Sequence, residues 1–257
     1  MSQRLSKCVK RALLWVVVGY LFVNVYGLLV YQSMLYRPPQ YRTPQYRTRN
    51  EIKHLMKATT RYGTVNFVFY KPEKSQYTVL FSHGNATDLR FMNAYIRQYT
   101  AAGFNVLAYD YNGYGGSTGK PSVEAVESDI DAMYHYLVVE QKIPPAKILV
   151  VGHSFGCAPS AYLASHQQVG GVLLMSPFLS VFRVVFPTPW TLFFFDPYNN
   201  SRWVKHIHKP IVIIHGTDDE VIPYYNGQRL HELANQPKLF FKAKGYGHNN
   251  LPWSLIK

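Results

Sequence analysis

The pentapeptide Gly152-His153-Ser154-Phe155-Gly156 constrains this chain more than any other feature, because it stands between a strand-like run, KILVV, and a helix-like one, FGCAPSAYLASHQ. A G-x-S-x-G pattern in that setting is a sharp strand-to-helix turn that lifts its serine above the end of a sheet. Such a turn strains the serine backbone and leaves no room for side chains at 152 and 156, hence the two glycines. It requires a sheet below it and a helix behind it.

The rest of the chain supplies both. From Thr64 onward strand-like segments alternate with helical ones, the pattern of an α/β domain with a mostly parallel central sheet flanked by helices. TVNFVFY, YTVLFSH, NVLAYDY, KILVVGH, GGVLLMS, PIVIIHG and KLFFKAK are the seven candidate strands. DLRFMNAYIRQYTAAG, VEAVESDIDAMYHYLVVE, FGCAPSAYLASHQ and PYYNGQRLHELANQ are amphipathic or apolar at helical spacing. One connection, from Pro177 to Pro210, is long and rich in Phe, Pro and Trp; residues 177–209 are therefore read as a small cap over the sheet.

A serine hydroxyl needs a general base, and the base needs a carboxylate to orient it. Thr217-Asp218-Asp219-Glu220 puts acids after the strand PIVIIHG, and GYGHNN puts His248 in a glycine-flanked loop after the last strand. The order Ser154, Asp219, His248 is the order this architecture requires. An oxyanion hole needs two backbone N–H donors. Phe155, directly after the serine, offers one, and Asn85, in the turn after LFSHG, offers the other. No cofactor or metal is required.

The N-terminal part is of another kind. Ala12 to Tyr36 carries no charge, and its apolar stretch is long enough to cross a bilayer as a helix. Trp15, Tyr20, Tyr26 and Tyr31 are spread along it, and Arg4, Lys7, Lys10 and Arg11 precede it as headgroup anchors. A buried core helix would be shorter, and a signal peptide would show a small-x-small cleavage site, so an uncleaved anchor is expected. Residues 1–11 are then a basic flank, 12–34 a transmembrane helix, 35–61 a basic linker and 62–257 the α/β domain. Arg37, Arg42, Arg47 and Arg49 balance the other flank, so the positive-inside rule does not choose an orientation. Within the linker the pentad Tyr-Arg-Thr-Pro-Gln nearly repeats, a proline-stiffened tether. Cys8, beside basic residues, is a site for S-acylation or a plain thiol. With Cys157 the only other cysteine, no disulfide framework exists.

The net charge of +13 does not indicate nucleic acid. Residues 1–61 hold eleven lysines and arginines against Glu51 alone, whereas the remainder holds 16 basic and 13 acidic groups with no basic stripe. Charged residues are only 16% of the chain and hydrophobic ones 47%, which excludes a disordered, solvating protein.

Taken together, HGNATDL, YDYNGYGGSTG, GHSFG, SPFLS, IIHGTDDEVIP and GYGHNNL resemble the α/β-hydrolase superfamily, and within it the membrane-anchored α/β-hydrolase-domain proteins, a group that includes protein depalmitoylases. The resemblance covers roughly residues 64–252 and rests on the ordered set of motifs. It implies an α/β-hydrolase fold, with nucleophile Ser154, acid Asp219 and base His248. Asp219 is preferred to Asp218 because it is the fifth residue of the HGxxD pattern that starts at His215. Asp110, in the YDYxGYGxSxG loop, braces the active-site loops on this reading. The chain after His248 leaves room for only a stub of helix.

Other features have plainer readings. His206-x-His208 lacks a cysteine partner and reads as a solvated connection, not a metal site. Glu124, Glu127, Asp129 and Asp131 read as a wet helix face. Phe178 to Phe195 packs over the sheet as a cap, binds acyl chains or dips into the bilayer. Cys157 reads as a small buried packing residue. Asn199-Asn200-Ser201 is a glycosylation sequon usable only in a secretory lumen. The expected function is a membrane-anchored serine hydrolase acting on an acyl ester or thioester, with an acylated protein or lipid as substrate and membrane lipids as partners. A serine peptidase on the same scaffold and a catalytically silent binding protein are the alternatives. Oligomeric state is left open.

Overall fold

The computed structural model describes residues 2–39, 55–73, 75–185 and 195–256. Most of the tether, residues 40–54, with its near-repeat, and residues 186–194 of the cap lie outside the described residues.

Eight strands form one sheet: β1 (Met56–Thr59), β2 (Thr64–Tyr70), β3 (Thr78–Ser82), β4 (Asn105–Tyr109), β5 (Ile148–His153), β6 (Gly171–Met175), β7 (Ile211–Gly216) and β8 (Lys238–Ala243). Their spatial order is β1-β2-β4-β3-β5-β6-β7-β8. β2 runs antiparallel to both β1 and β4, and every pairing from β4 through β8 is parallel. The parallel strands therefore end on one side of the sheet, where α/β proteins place their ligands. The helices are α1 (Ser2–Leu35), α2 (Asn93–Ala101), α3 (Val123–His135), α4 (Cys157–His166), α5 (Val181–Val185), α6 (Asn200–Trp203) and α7 (Tyr225–Leu233).

Alternation along the central strands divides the core in two. Leu80, Leu107 and Val150 face Val126, Ile130 and Met133 of α3 and Ala161 of α4. Val79, Phe81, Val106 and Val151 face Leu89, Ile96 and Tyr99 on the other side. With both faces covered, β3 is buried along its whole length, which is why its sequence is a continuous apolar run.

Three features depart from the sequence reading. The edge strand β1 lies within the stretch read as linker. Its four residues are too few to register as a periodic segment, and it is held by a turn in which Thr60 N–H donates to Gly63 O at 2.7 Å. The helix α1 is continuous from Ser2, so flank and anchor share one backbone element; Lys and Arg are good helix formers and do not interrupt it. Its far end enters the domain, where Tyr36 is buried and shares a 2.8 Å hydrogen bond with the Tyr198 hydroxyl. The span Cys8–Ser33 is long and apolar enough to cross a membrane, and Leu13, Trp15, Phe22 and Leu29 are exposed along it.

The third departure is Asp129, which is fully buried instead of lying on a wet face. It turns inward with Val126, Ile130 and Met133. There it accepts the Asn112 main-chain N–H at 2.7 Å and a second hydrogen bond from the Asn112 side chain, bracing the loop after β4. Burial raises its pKa to about 7, against the lowering effect of those donors. Its extra stabilisation is thus full below the unfolded carboxyl pKa near 4 and is lost as pH rises through about 7. Asp129→Ala should cost about 2 kcal/mol by leaving buried donors unpaired. Urea unfolding should show a larger cost at pH 5 than at pH 8, because only the wild type has this stabilisation to lose.

Candidate active site

Ser154 leaves β5 with φ +54°, in left-handed backbone space costly to any residue with a side chain. Two close approaches impose this geometry. A Cβ on Gly152 would collide with the Gly156 carbonyl, and one on Gly156 with the Ser82 carbonyl. The turn then runs into α4 through one 3-10 turn, Ser154–Gly156. Cys157, fully buried behind it, donates its thiol weakly to Gly152 O and Met175 O, and burial pushes that thiol up.

His248, in the loop after β8, lies with Nε2 2.8 Å from Ser154 Oγ. Its Nδ1 is 2.8 and 3.0 Å from the two Asp219 oxygens. A carboxylate only accepts, so Nδ1 carries the proton and the Nε2 lone pair faces the serine hydroxyl. Asp219 is tied down separately: Oδ1 accepts the main-chain N–H groups of Val221 at 3.0 Å and Ile222 at 2.7 Å. Its carboxyl is fully shielded from solvent. Burial works against its charge, but hydrogen bonds from His215, His248 and the Ile222 amide outweigh that and hold it well below the usual carboxylate range. Asp218 is exposed and accepts instead from the Thr217 hydroxyl at 2.6 Å.

The turn after β3 approaches the serine, since a Cβ on Gly84 would stand 3.6 Å from Ser154 Cβ. The Phe155 amide opens the turn that follows Ser154, where N–H groups lack carbonyl partners one turn back. Among the described residues the Asn85 main-chain amide has no acceptor. The Asn85 side chain is held on both its atoms: Oδ1 accepts from the Tyr114 hydroxyl at 2.7 Å and Arg37 N–H at 3.2 Å, and Nδ2 donates to Leu35 O at 2.6 Å. Asp110 is buried, accepts the Leu89 N–H at 2.9 Å, and lies 3.4 Å from His83 Nε2.

Two positioning groups escaped the sequence reading. His153 places Nε2 3.1 Å from the His248 carbonyl, linking the serine turn to the histidine loop. Burial lowers its pKa to about 4, so it stays neutral at ordinary pH and donates that bond. Glu220 accepts the His248 N–H at 3.2 Å. Both sit beside motif residues, the only hint the sequence offered. His206 and His208 are exposed, and no cluster of three metal-ligating side chains occurs among the described residues. Asn199 of the sequon caps α6, accepting the Arg202 N–H at 3.0 Å.

Above Ser154 is a cavity of about 710 Å³ with a mainly apolar wall. Phe178, Val181, Phe182 and Val184 line it from the cap region, and Val221 and Ile222 from the loop that carries Asp219.

A doubly covered sheet with a strained serine at the end of β5 and a histidine against it defines an α/β-hydrolase, and the protein is a serine hydrolase. Residues 73–204 match the Hydrolase_4 family, described as serine aminopeptidase, S33. Alpha/beta hydrolase domain-containing protein 17B of Xenopus tropicalis is 37% identical over 205 residues, covering 79% of this chain and 71% of that relative. The human 17B protein is 36% identical with the same coverage. Among solved structures, the Pyrococcus furiosus esterase Pf2001 superposes with TM-score 0.64 at 21% identity, over 83% of this chain and 90% of its own. Est1E of Butyrivibrio proteoclasticus, solved with ferulic acid bound, gives 0.64 at 18% identity over 78% and 94%. The chain belongs to the Hydrolase_4 family of the α/β-hydrolase superfamily.

Proposed function

We propose that this protein is a membrane-anchored hydrolase of acyl esters or thioesters, working through Ser154, His248 and Asp219. The observation that carries the reading is the apolar cavity opening on a serine whose hydroxyl meets an imidazole lone pair at 2.8 Å. His248 Nε2 takes the Ser154 proton as Oγ attacks the acyl carbonyl. The negative charge forming on the carbonyl oxygen is met by the Asn85 and Phe155 amides. The imidazolium is stabilised by Asp219 and returns the proton to the leaving alcohol or thiol. Water, deprotonated by the same imidazole, then releases the acid and restores Ser154.

Anchoring is supported by the exposed apolar girth of α1, since a contiguous apolar surface of that length is not tolerated in water. The family description names an aminopeptidase, but the cavity wall favours acyl substrates. Among the described residues of its lining, Arg37 is the one charged group, and a peptide's α-ammonium would find no carboxylate among them.

The test is a substrate panel on the purified full-length protein: 4-nitrophenyl esters of increasing chain length, an acyl thioester and an aminoacyl anilide. Ester and thioester turnover with no anilide cleavage is expected. Cleavage of the anilide alone would replace this reading with the peptidase, and no turnover of any substrate would favour a silent binding protein.

A further inference from the structure

One wall of the cavity does not come from the hydrolase fold. Val23, Tyr26, Gly27, Val30, Tyr31 and Leu35 line it, and their spacing of three and four residues puts them on a single face of α1. From Val23 to Leu35 the helix rises about 18 Å, comparable with one leaflet of a hydrocarbon core about 30 Å thick. All of these except Leu35 lie inside the span Cys8–Ser33. Leu21, Phe22, Leu28 and Leu29 are exposed elsewhere on the same stretch.

The wall is fastened at its C-terminal end, beside the domain. Tyr31 packs on Phe195 of the cap region at 5.6 Å between ring centroids. Leu35 O and Arg37 N–H are both bonded to the Asn85 side chain, whose residue carries a candidate oxyanion amide. The helix that reaches into the bilayer is thus also bolted to the loop beside the nucleophile.

We propose that α1 is part of the substrate site: its inner face is the surface along which the fatty chain of a long-chain acyl ester or thioester lies, entering sideways from the leaflet. This rests on the acyl-hydrolase reading and extends it to long chains. A tether alone would not need one of its faces to line the cavity above the serine. A chain that slides from lipid into this groove avoids exposing its methylenes to water on the way. Gly27 lines the cavity with no side chain of its own, so a large side chain placed there adds bulk to the wall. Chain length is therefore set by the anchor as well as by the cap.

The experiment compares kcat/KM for 4-nitrophenyl palmitate and butyrate in lipid–detergent micelles, using full-length wild type, Gly27→Phe and Leu29→Phe. Wild type should prefer palmitate, and Gly27→Phe should lower the palmitate-to-butyrate ratio at least about tenfold by filling the groove. Leu29→Phe adds bulk to a residue outside the cavity wall and should leave the ratio unchanged. Fluorophosphonate labelling reports whether each variant is folded, and Val30→Phe substitutes if Gly27→Phe is not. An unchanged ratio in a labelled variant, or equal loss on both esters, overturns the role of α1 while leaving the hydrolase reading intact. A wild type inactive on both esters and on an acyl thioester overturns both.

Discussion

Ser154→Ala should abolish fluorophosphonate labelling and lower ester turnover by on the order of 10⁴–10⁶-fold, leaving only the catalysis that binding and the oxyanion donors supply. The fold should survive, because alanine is little more strained than serine at φ +54° and the steric demands of the turn fall on Gly152 and Gly156. Among the described residues the one hydrogen bond lost is that to His248 Nε2, and the imidazole remains held by Asp219 on its other side. His248→Ala should be almost as damaging, and the double variant no worse than either single one, because base and nucleophile act as a unit. Circular dichroism and thermal unfolding would separate lost chemistry from lost structure. Labelling that persists in a folded Ser154→Ala protein would remove Ser154 as the nucleophile.

Features whose physical cause is local could be read in the sequence. The strand-to-helix turn declares itself because two close backbone contacts require glycine at fixed positions around Ser154. The central strands declare themselves because burial on both faces requires unbroken apolar runs. What escaped depends on packing between distant segments. Asp129 looks like any acid on a charged helix until the loop bearing Asn112 folds onto it and supplies buried donors. β1 is four residues long and gains its identity only by pairing with β2. His153 occupies the variable position of its motif, and its bond to His248 O joins residues 95 apart in the chain. The inner face of α1 is the clearest case. Every residue of an apolar span is alike in character, so nothing in the composition separates the side that lines the cavity from the side that stays exposed.

The neighbouring acids give the sharpest discrimination. Asp219→Asn should reduce kcat by about 10⁴-fold, through the tautomer of His248 more than through loss of charge alone. In the wild type Asp219 accepts from Nδ1–H, which leaves the Nε2 lone pair toward Ser154. An asparagine here would keep its Oδ1 on the Val221 and Ile222 amides and turn its NH₂ toward His248. Nδ1 would then have to accept, the ring proton would move to Nε2, and no lone pair would remain to take the hydroxyl proton. Because the Asp219 carboxyl is held well below the ordinary range, it stays ionised through the accessible pH range. The acid limb of the pH–rate profile therefore does not come from this residue, and Asp219→Asn should lower the whole profile without recovering activity at any pH. Asp218 is exposed and bonded to Thr217, so Asp218→Asn should change the rate by no more than about a factor of two. If Asp218→Asn proves the more damaging, the orienting carboxylate has been assigned to the wrong residue, and the Asp219 contact to His248 serves structure instead of proton transfer.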